Sequence, residues 1–597
     1  MGDKQVDIVE LVEEGDAGGK SHTRAGSKGL LSSSIRPTMA TVLVGSVVLV
    51  LLIVVIALAS AIAQRPILYL PQPAAAVTVT PTPTASSPAP TVPVATPTAA
   101  IPTSAPVKAV NPANVRTLLM QGNLANGRFG RSIASPDVNL DGLADLVVGA
   151  PVLSSAYVLL GYAPIYVRNL TLAFDVTPPL PGQGTVIHGA SPVDLTGSAV
   201  ASGDVDNDGI ADVVLGALLA GPSKVGTVTV LYSSLSLYST TPVLLLPPAN
   251  TSIGFTVQGP SILAQTGASL AAQDFNGDGY ADLLIGCPNA TIDGYSTYPG
   301  AVYVLWGSPR ASLPANATVS LASLTPQQGL IFVGGTNGDH LGVAVAALGD
   351  INQDGYNDFA MGSPSYKGNW GAVYVVFGGP AAHFQPRTNV YSISKSTGFV
   401  VYGRAGDLLG AALAPAGDVN NDGFPDVILG APGDITVVPV PTGSVGVILG
   451  APKASLAASV SMAGLNGANG FLVTGTNPGD RFGSAVGAAG DYNLDGAADY
   501  LVGAAEAIAG TGAVYLVYGQ TASTLTASAQ VSSTWIANNG MLFTANQTTN
   551  PGLGLNVWGN FDFNGDGRAD FAYGQSAEDV DFIGAHTGEI FVIFNAS

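Results

Sequence analysis

An all-β chain of repeated sheets closed into a ring is the fold this sequence predicts, on three observations. The pattern D-x-[DN]-x-D-G-x-x-D occurs seven times, starting at Asp137, Asp204, Asp274, Asp350, Asp418, Asp491 and Asp562. Each period holds four short apolar segments; the second interval reads SAVAS, ADVVLGA, GTVTVLYS and GFTVQG, β-branched runs bounded by turn residues that form strands. The ends are offset by one strand: GEIFVIFNAS at the C-terminus matches a third strand, and VRTLLMQG ahead of the first loop matches a fourth. Four antiparallel strands repeated every 70 or so residues describe a propeller blade. Residues 114–597 are therefore expected to form a seven-bladed β-propeller whose N-terminal strand completes the last blade, leaving no terminal blade exposed.

The segments before the ring follow in order. Residues 1–38 are polar and read as a disordered cytoplasmic tail. Residues 39–63, MATVLVGSVVLVLLIVVIALASAIA, carry no charge and are long enough to span a bilayer as one helix. Arg24, Lys28 and Arg36 precede the run and only Arg65 follows it before Lys108. Basic residues favour the cytoplasmic side, so the expectation is a signal-anchor helix of type II topology at the plasma membrane, with everything beyond it extracellular. The alternative is a signal peptide cleaved after Ala59 or Ala63, which would secrete the remainder; the apolar run and its leader are longer than that reading expects. Residues 64–113 are dense in Pro, Thr and Ala. They read as a polyproline-II stalk suited to O-glycosylation. The N-x-[ST] sequons at Asn169, Asn250, Asn289, Asn316, Asn546 and Asn595 all lie beyond the apolar run, so their use requires that side to be lumenal.

The repeated loop carries the chemistry. Oxygen-bearing side chains at positions 1, 3, 5 and 9, with a glycine at position 6 to turn the chain, make a site for a hard divalent cation. The glutamate that would close an EF-hand loop at position 12 is absent; Val148 and Ile285 hold that slot in the first and third copies. Strand-like flanks instead place each loop in a β-hairpin. Calcium suits so many carboxylates better than magnesium does, and zinc is poorly served by one cysteine, Cys287, and five scattered histidines. The chain has a formal net charge of −20. Most of the acids beyond residue 64 lie in the seven loops, so the acidity belongs to metal sites and argues against a nucleic-acid partner. His22, His188, His340, His383 and His586 form no spacing motif, and no nucleophile elbow, HExxH or phosphate loop is present, so no enzyme activity is expected.

The copies RFGRSIASPDVNLDGLADLVVGAP, DLLGAALAPAGDVNNDGFPDVILGAP and DRFGSAVGAAGDYNLDGAADYLVGAA resemble FG-GAP repeats, the units of the integrin α-subunit head. The resemblance covers residues 114–597. It implies up to seven Ca2+ ions, each in the hairpin between the first and second strands of a blade. Carried over by position, the ligands are Asp137, Asn139, Asp141 and Asp145; Asp204, Asp206, Asp208 and Asp212; Asp274, Asn276, Asp278 and Asp282; and Asp350, Asn352, Asp354 and Asp358. The remaining sets are Asp418, Asn420, Asp422 and Asp426; Asp491, Asn493, Asp495 and Asp499; and Asp562, Asn564, Asp566 and Asp570. All seven copies carry the motif here, whereas integrin α subunits fill only some blades. Leg domains, a C-terminal span and a second cysteine are missing, which weighs against an integrin β-type partner. The FG itself is degraded in the second and seventh copies (LTGSAV, GLGLNVW).

The resemblance implies a membrane-anchored adhesion or ligand-binding protein with an extracellular protein or glycan ligand. A calcium-dependent lectin, a cell-wall structural component and a propeller lyase are the alternatives. Integrin-like propellers bind on the rim opposite the calcium hairpins. There this chain offers PNATIDGYSTYP and SPSYKGNW, making Tyr295, Tyr298, Tyr366, Lys367 and Trp370 the ligand-face candidates, because exposed aromatics beside a cation suit such ligands.

Overall fold

The computed structural model describes residues 117–122, 127–161, 170–174, 183–235, 237–240, 243–248, 252–292, 298–312, 318–433, 439–521, 526–544, 552–575 and 588–595. The predicted tail at 1–38, the apolar run at 39–63 and the stalk at 64–113 lie outside them. No helix among the described residues is long and apolar enough to cross a membrane.

The described strands form seven sheets. In the fourth blade the order is Val345–Gly349, Asp358–Ser363, Ala372–Val376 and Gly398–Tyr402, each antiparallel to its neighbour. The second and third strands are buried at every position, which explains why they read as unbroken apolar runs and not as alternating ones. First strands from all the blades line a central channel, with Val200–Ser202, Leu270–Ala272, Val345–Ala347 and Leu413–Pro415 among them. Small side chains dominate that lining because the ring is narrowest at its axis.

The ring closes as the offset ends predict. Thr117–Gly122 pairs antiparallel with Glu589–Ile593, in register from Thr117↔Ile593 to Gln121↔Glu589. Leu118 and Met120 are each 1% exposed and pack with Ile133, Val148, Phe561 and Ile590 in the core between the seventh and first blades. Burying two such side chains contributes roughly 1.5–3 kcal/mol each to closure.

A fifth strand was not expected. Six of the seven sheets have one, parallel to the fourth strand and donated by the next blade's third-to-fourth connection. Ser459–Ser461 from the fifth blade pairs in this way with Val400–Tyr402 of the fourth. The third-to-fourth connections therefore do not stay on one rim; they climb the outer edge of the preceding blade and return. Each strand is three to five residues long, too short for its composition to stand out. The sixth sheet, ending on Gly540–Thr544, has four strands among the described residues. Its donor position falls between Glu589–Ile593 and Thr117–Gly122, where two separate parts of the chain meet instead of a continuous loop.

The two glycines that recur in every copy mark where neighbouring blades touch. A Cβ added to Gly430 in the second strand of the fifth blade would stand 2.3 Å from the carbonyl oxygen of Gly483 in the sixth. The same contact joins Gly149 to Gly197, Gly362 to Gly410 and Gly503 to Gly554, and across the closure Gly574 to Gly130, at 2.0–2.4 Å. The aromatic before this glycine is present only as Phe129 and Phe482, while the glycine itself is kept in all seven copies, Gly197 and Gly554 included.

Candidate metal centres

Each loop is wired by its own backbone. The first-position carboxylate accepts the N–H groups of positions 5 and 6: Asp204 takes Asp208 N at 3.0 Å and Gly209 N at 2.7 Å, and Asp418 takes Asp422 N at 3.0 Å and Gly423 N at 2.7 Å. The fifth-position carboxylate accepts the N–H of position 7 through Oδ1, as in Asp422 from Phe424 at 3.0 Å. Only a left-handed backbone folds these donors inward, and the glycine at position 6 supplies it, with φ from +79° at Gly567 to +94° at Gly423 and Gly496. Position 4 is left-handed too, a requirement not foreseen from the sequence. Gly277 and Gly565 meet it without strain, while Leu140 and Leu494 hold φ of +55° and +61° with exposed side chains.

Position 9 lies at the base. Asp145, Asp212, Asp282, Asp358, Asp426, Asp499 and Asp570 are fully buried. In each, one oxygen accepts the N–H of position 2 and the other an N–H just past the third strand. Asp426 takes Val419 N at 2.9 Å and Gly450 N at 2.8 Å. The side chain thus ties loop, second strand and third strand together, and each Asp426 oxygen keeps a further lone pair. Burial pushes these carboxyls up, to about 7 at Asp145, Asp212, Asp499 and Asp570 and to about 8 at Asp282, Asp358 and Asp426. The backbone donors and the neighbouring aspartates act as smaller, opposing causes.

The donor set fits a hard cation. In the second loop the carboxylate oxygens of Asp204, Asp206 and Asp208 come within 4.8 Å of one another. Two position-3 oxygens, Asp206 Oδ1 and Asn352 Oδ1, are buried without a hydrogen-bond partner. Buried oxygens without partners are costly, and a cation at the loop centre would satisfy them. Adjacent loops also join around the rim. Ala281 N donates to Asp204 O at 2.8 Å and Ala498 N to Asp418 O at 2.8 Å, and across the closure Ala144 N donates to Asp562 O at 3.0 Å.

On the opposite rim the candidates separate. Tyr295 lies outside the described residues. Tyr298 is 41% exposed, its ring centroid 6.3 Å from that of His340. Trp370 is 42% exposed, and Lys367 Nζ sits 5.8 Å from its ring. Tyr366 departs from the expectation of exposure: it is 8% exposed, stacks on Tyr402 at 5.7 Å and meets Tyr391 edge-on. It is a packing residue because the turn Tyr366–Asn369 folds its ring back onto the blade. Asn595 is likewise no glycan acceptor in the folded ring, being buried with its amide donating to Tyr492 O at 2.8 Å.

Comparison with known proteins agrees with this geometry. The FG-GAP repeat family model matches residues 129–159, 196–231, 266–305, 341–376 and 409–448. The chain is 29% identical over 242 residues to integrin alpha pat-2 of Caenorhabditis briggsae, covering 40% of this chain and 18% of that protein. It is 32% identical over 169 residues to integrin alpha-PS5 of Drosophila melanogaster, covering 28% and 15%. To integrin alpha-5 of Xenopus laevis it is 30% identical over 255 residues, covering 40% and 20%. The matched segment thus spans no more than about a fifth of these relatives' length. The chain carries FG-GAP repeats, is similar in sequence to integrin α subunits over part of its length, and folds as a seven-bladed β-propeller.

Proposed function

We propose that this propeller is an extracellular adhesion or ligand-binding module whose loops are loaded with calcium, tethered to the membrane through residues 39–63. One observation carries the reading: seven copies of one all-oxygen loop, several hydrogen-bonded to their neighbours around one rim, in a fold related to integrin α subunits. The side chains at positions 1, 3, 5 and 9 would hold each ion, from Asp137, Asn139, Asp141 and Asp145 in the first loop to Asp562, Asn564, Asp566 and Asp570 in the seventh. A bound ion supplies positive charge that neutralises the carboxylates and fixes the hairpin. The chain's own residues do the rest. Position 9 anchors the hairpin to two strands, and the inter-loop hydrogen bonds pass that order to the next blade.

Binding, not catalysis, is the role we propose. Ser155 lies 2.8 Å from His188 Nδ1 and 2.9 Å from Leu153 O, but it is buried at 1% exposure, so its hydroxyl is closed to a substrate. We place ligand contact at Tyr298, Lys367 and Trp370 on the rim away from the loops, for a protein or glycan ligand. The test displays the full chain on cells and scores attachment to arrays of extracellular proteins and glycans in millimolar calcium. Tyr298→Ala, Lys367→Ala and Trp370→Ala together should abolish attachment while the melting temperature stays unchanged. Attachment surviving all three substitutions contradicts this ligand face.

A further inference from the structure

The second loop differs from the other six by one atom type. Its third position is Asp206, where every other loop has asparagine. In the first, fifth, sixth and seventh loops that asparagine's amide donates to the fifth-position Oδ2: Asn139 to Asp141 at 3.0 Å, Asn420 to Asp422 at 2.8 Å, Asn493 to Asp495 at 2.8 Å and Asn564 to Asp566 at 3.4 Å. A carboxylate cannot donate, so the second loop lacks this bond and carries a fourth negative charge.

Arg310 supplies both missing things. It opens the short turn Arg310–Ser312 after the third strand of the next blade, held beside the loop by Ser308 N donating to Val205 O at 3.1 Å. Its Nη2 donates to Asp208 Oδ2 at 2.5 Å and its Nε to Asp206 Oδ2. The guanidinium rests 4.4 Å from the ring centre of Tyr232, a cation–π seat that fixes it over the loop. At the matching position of the fifth blade, Lys453 Nζ lies 4.8 Å from the Phe377 ring centre but 3.9 Å from Asp354 of the fourth loop, beyond hydrogen-bond distance, so that carboxylate is not held as Asp208 is.

Asp208 Oδ1 accepts Ile210 N at 3.0 Å, and its Oδ2, which in four other loops accepts from a neutral asparagine amide, is held here by the charged Arg310. A calcium ion needs that oxygen at roughly 2.3–2.6 Å, too near the guanidinium for both charges to share it without repulsion. The Asp206 side chain is 2% exposed, and its Oδ1 remains buried and without a partner, so the pocket for an ion persists under the arginine. We infer that Arg310 is a resident counter-cation of the second loop, and that this loop binds calcium weakest and last. With one arginine charge against four carboxylates, the second loop has the balance of a loop with three carboxylates and no basic neighbour before any ion enters.

The inference rests on the calcium reading, and its test separates the two. Equilibrium dialysis of the full chain with radiolabelled calcium should give six ions of similar affinity and a seventh about tenfold weaker. In R310Q the seventh should tighten about tenfold and join the rest. The melting temperature of R310Q should fall below wild type in calcium-free buffer and match it in saturating calcium, because the ion then replaces the lost charge. Seven equal sites with no change in R310Q overturn the inference while leaving calcium binding intact, as do loss of an ion in R310Q and an equal melting deficit in both buffers. Absence of calcium binding at every loop overturns both readings.

Discussion

At the scale of single residues, the loops set two requirements that pull in opposite directions. Position 4 demands a left-handed backbone, which L-residues with bulky side chains adopt at a cost of roughly 1–2 kcal/mol. Leu494 meets that demand at φ +61° with its side chain 58% exposed and nothing to bury. Leu494→Gly should therefore stabilise the protein by about 1 kcal/mol, less the added entropy of the unfolded chain, measured as a rise in the urea midpoint. The buried position-9 carboxyls set the second requirement. Their folded pKa values, about 7 to about 8, stand above the unfolded carboxylate value. The calcium-free fold therefore keeps protons that the unfolded chain has released. Its stability should fall as pH rises from about 4 to about 8, and be steady on either side. Calcium, favouring the ionised carboxylates, should remove most of that decline. Urea midpoints at pH 5 and pH 8 check this, and a calcium-free protein more stable at pH 8 contradicts it.

At the scale of elements, legibility in the sequence followed repetition. The loops, the four-strand period and the closing strand could be read because seven copies share residue types that only one chemistry or one backbone explains. Thr117–Gly122 was found by counting third and fourth strands, not by its own composition. The fifth strands were missed because three residues such as Ser459–Ser461, held by backbone pairing alone, need no particular side chains. Arg310 was missed for a different reason: it acts on residues about a hundred positions away, and only the ring brings it to Asp206 and Asp208. Tyr366 reads as exposed because turn residues usually are, and only the folded blade brings Tyr402 under its ring. The paired glycines carry a prediction at this scale. Gly430 is not in the left-handed region, so alanine fits its backbone, but the new Cβ would lie 2.3 Å from Gly483 O. Gly430→Ala should cost about 1–3 kcal/mol by forcing the fifth and sixth blades apart, against a much smaller effect for an exposed glycine such as Gly464, whose added Cβ meets nothing within 4 Å.

For the whole molecule, stability is distributed around a ring with a single closure and no disulfide, Cys287 being the one cysteine. Seven buried cores between blades and a belt of linked loops share the load. Extracellular calcium modules bind at roughly 0.1–1 mM, so millimolar calcium would contribute about 0.4–1.4 kcal/mol per loop under the proposed reading. Over seven loops that is roughly 3–10 kcal/mol, comparable to the entire stability of an ordinary domain. The belt also couples neighbouring loops where it is closed by hydrogen bonds, since Asp204, Asp418 and Asp562 each hold a carbonyl that accepts a neighbouring loop's N–H. The central claim is that these loops are metal sites on which the ring depends, and the melting temperature of the intact chain in millimolar calcium and in excess chelator tests it most directly. The account predicts a single transition that drops markedly on chelation and recovers when calcium is restored. The same melting curve with and without chelator would contradict it.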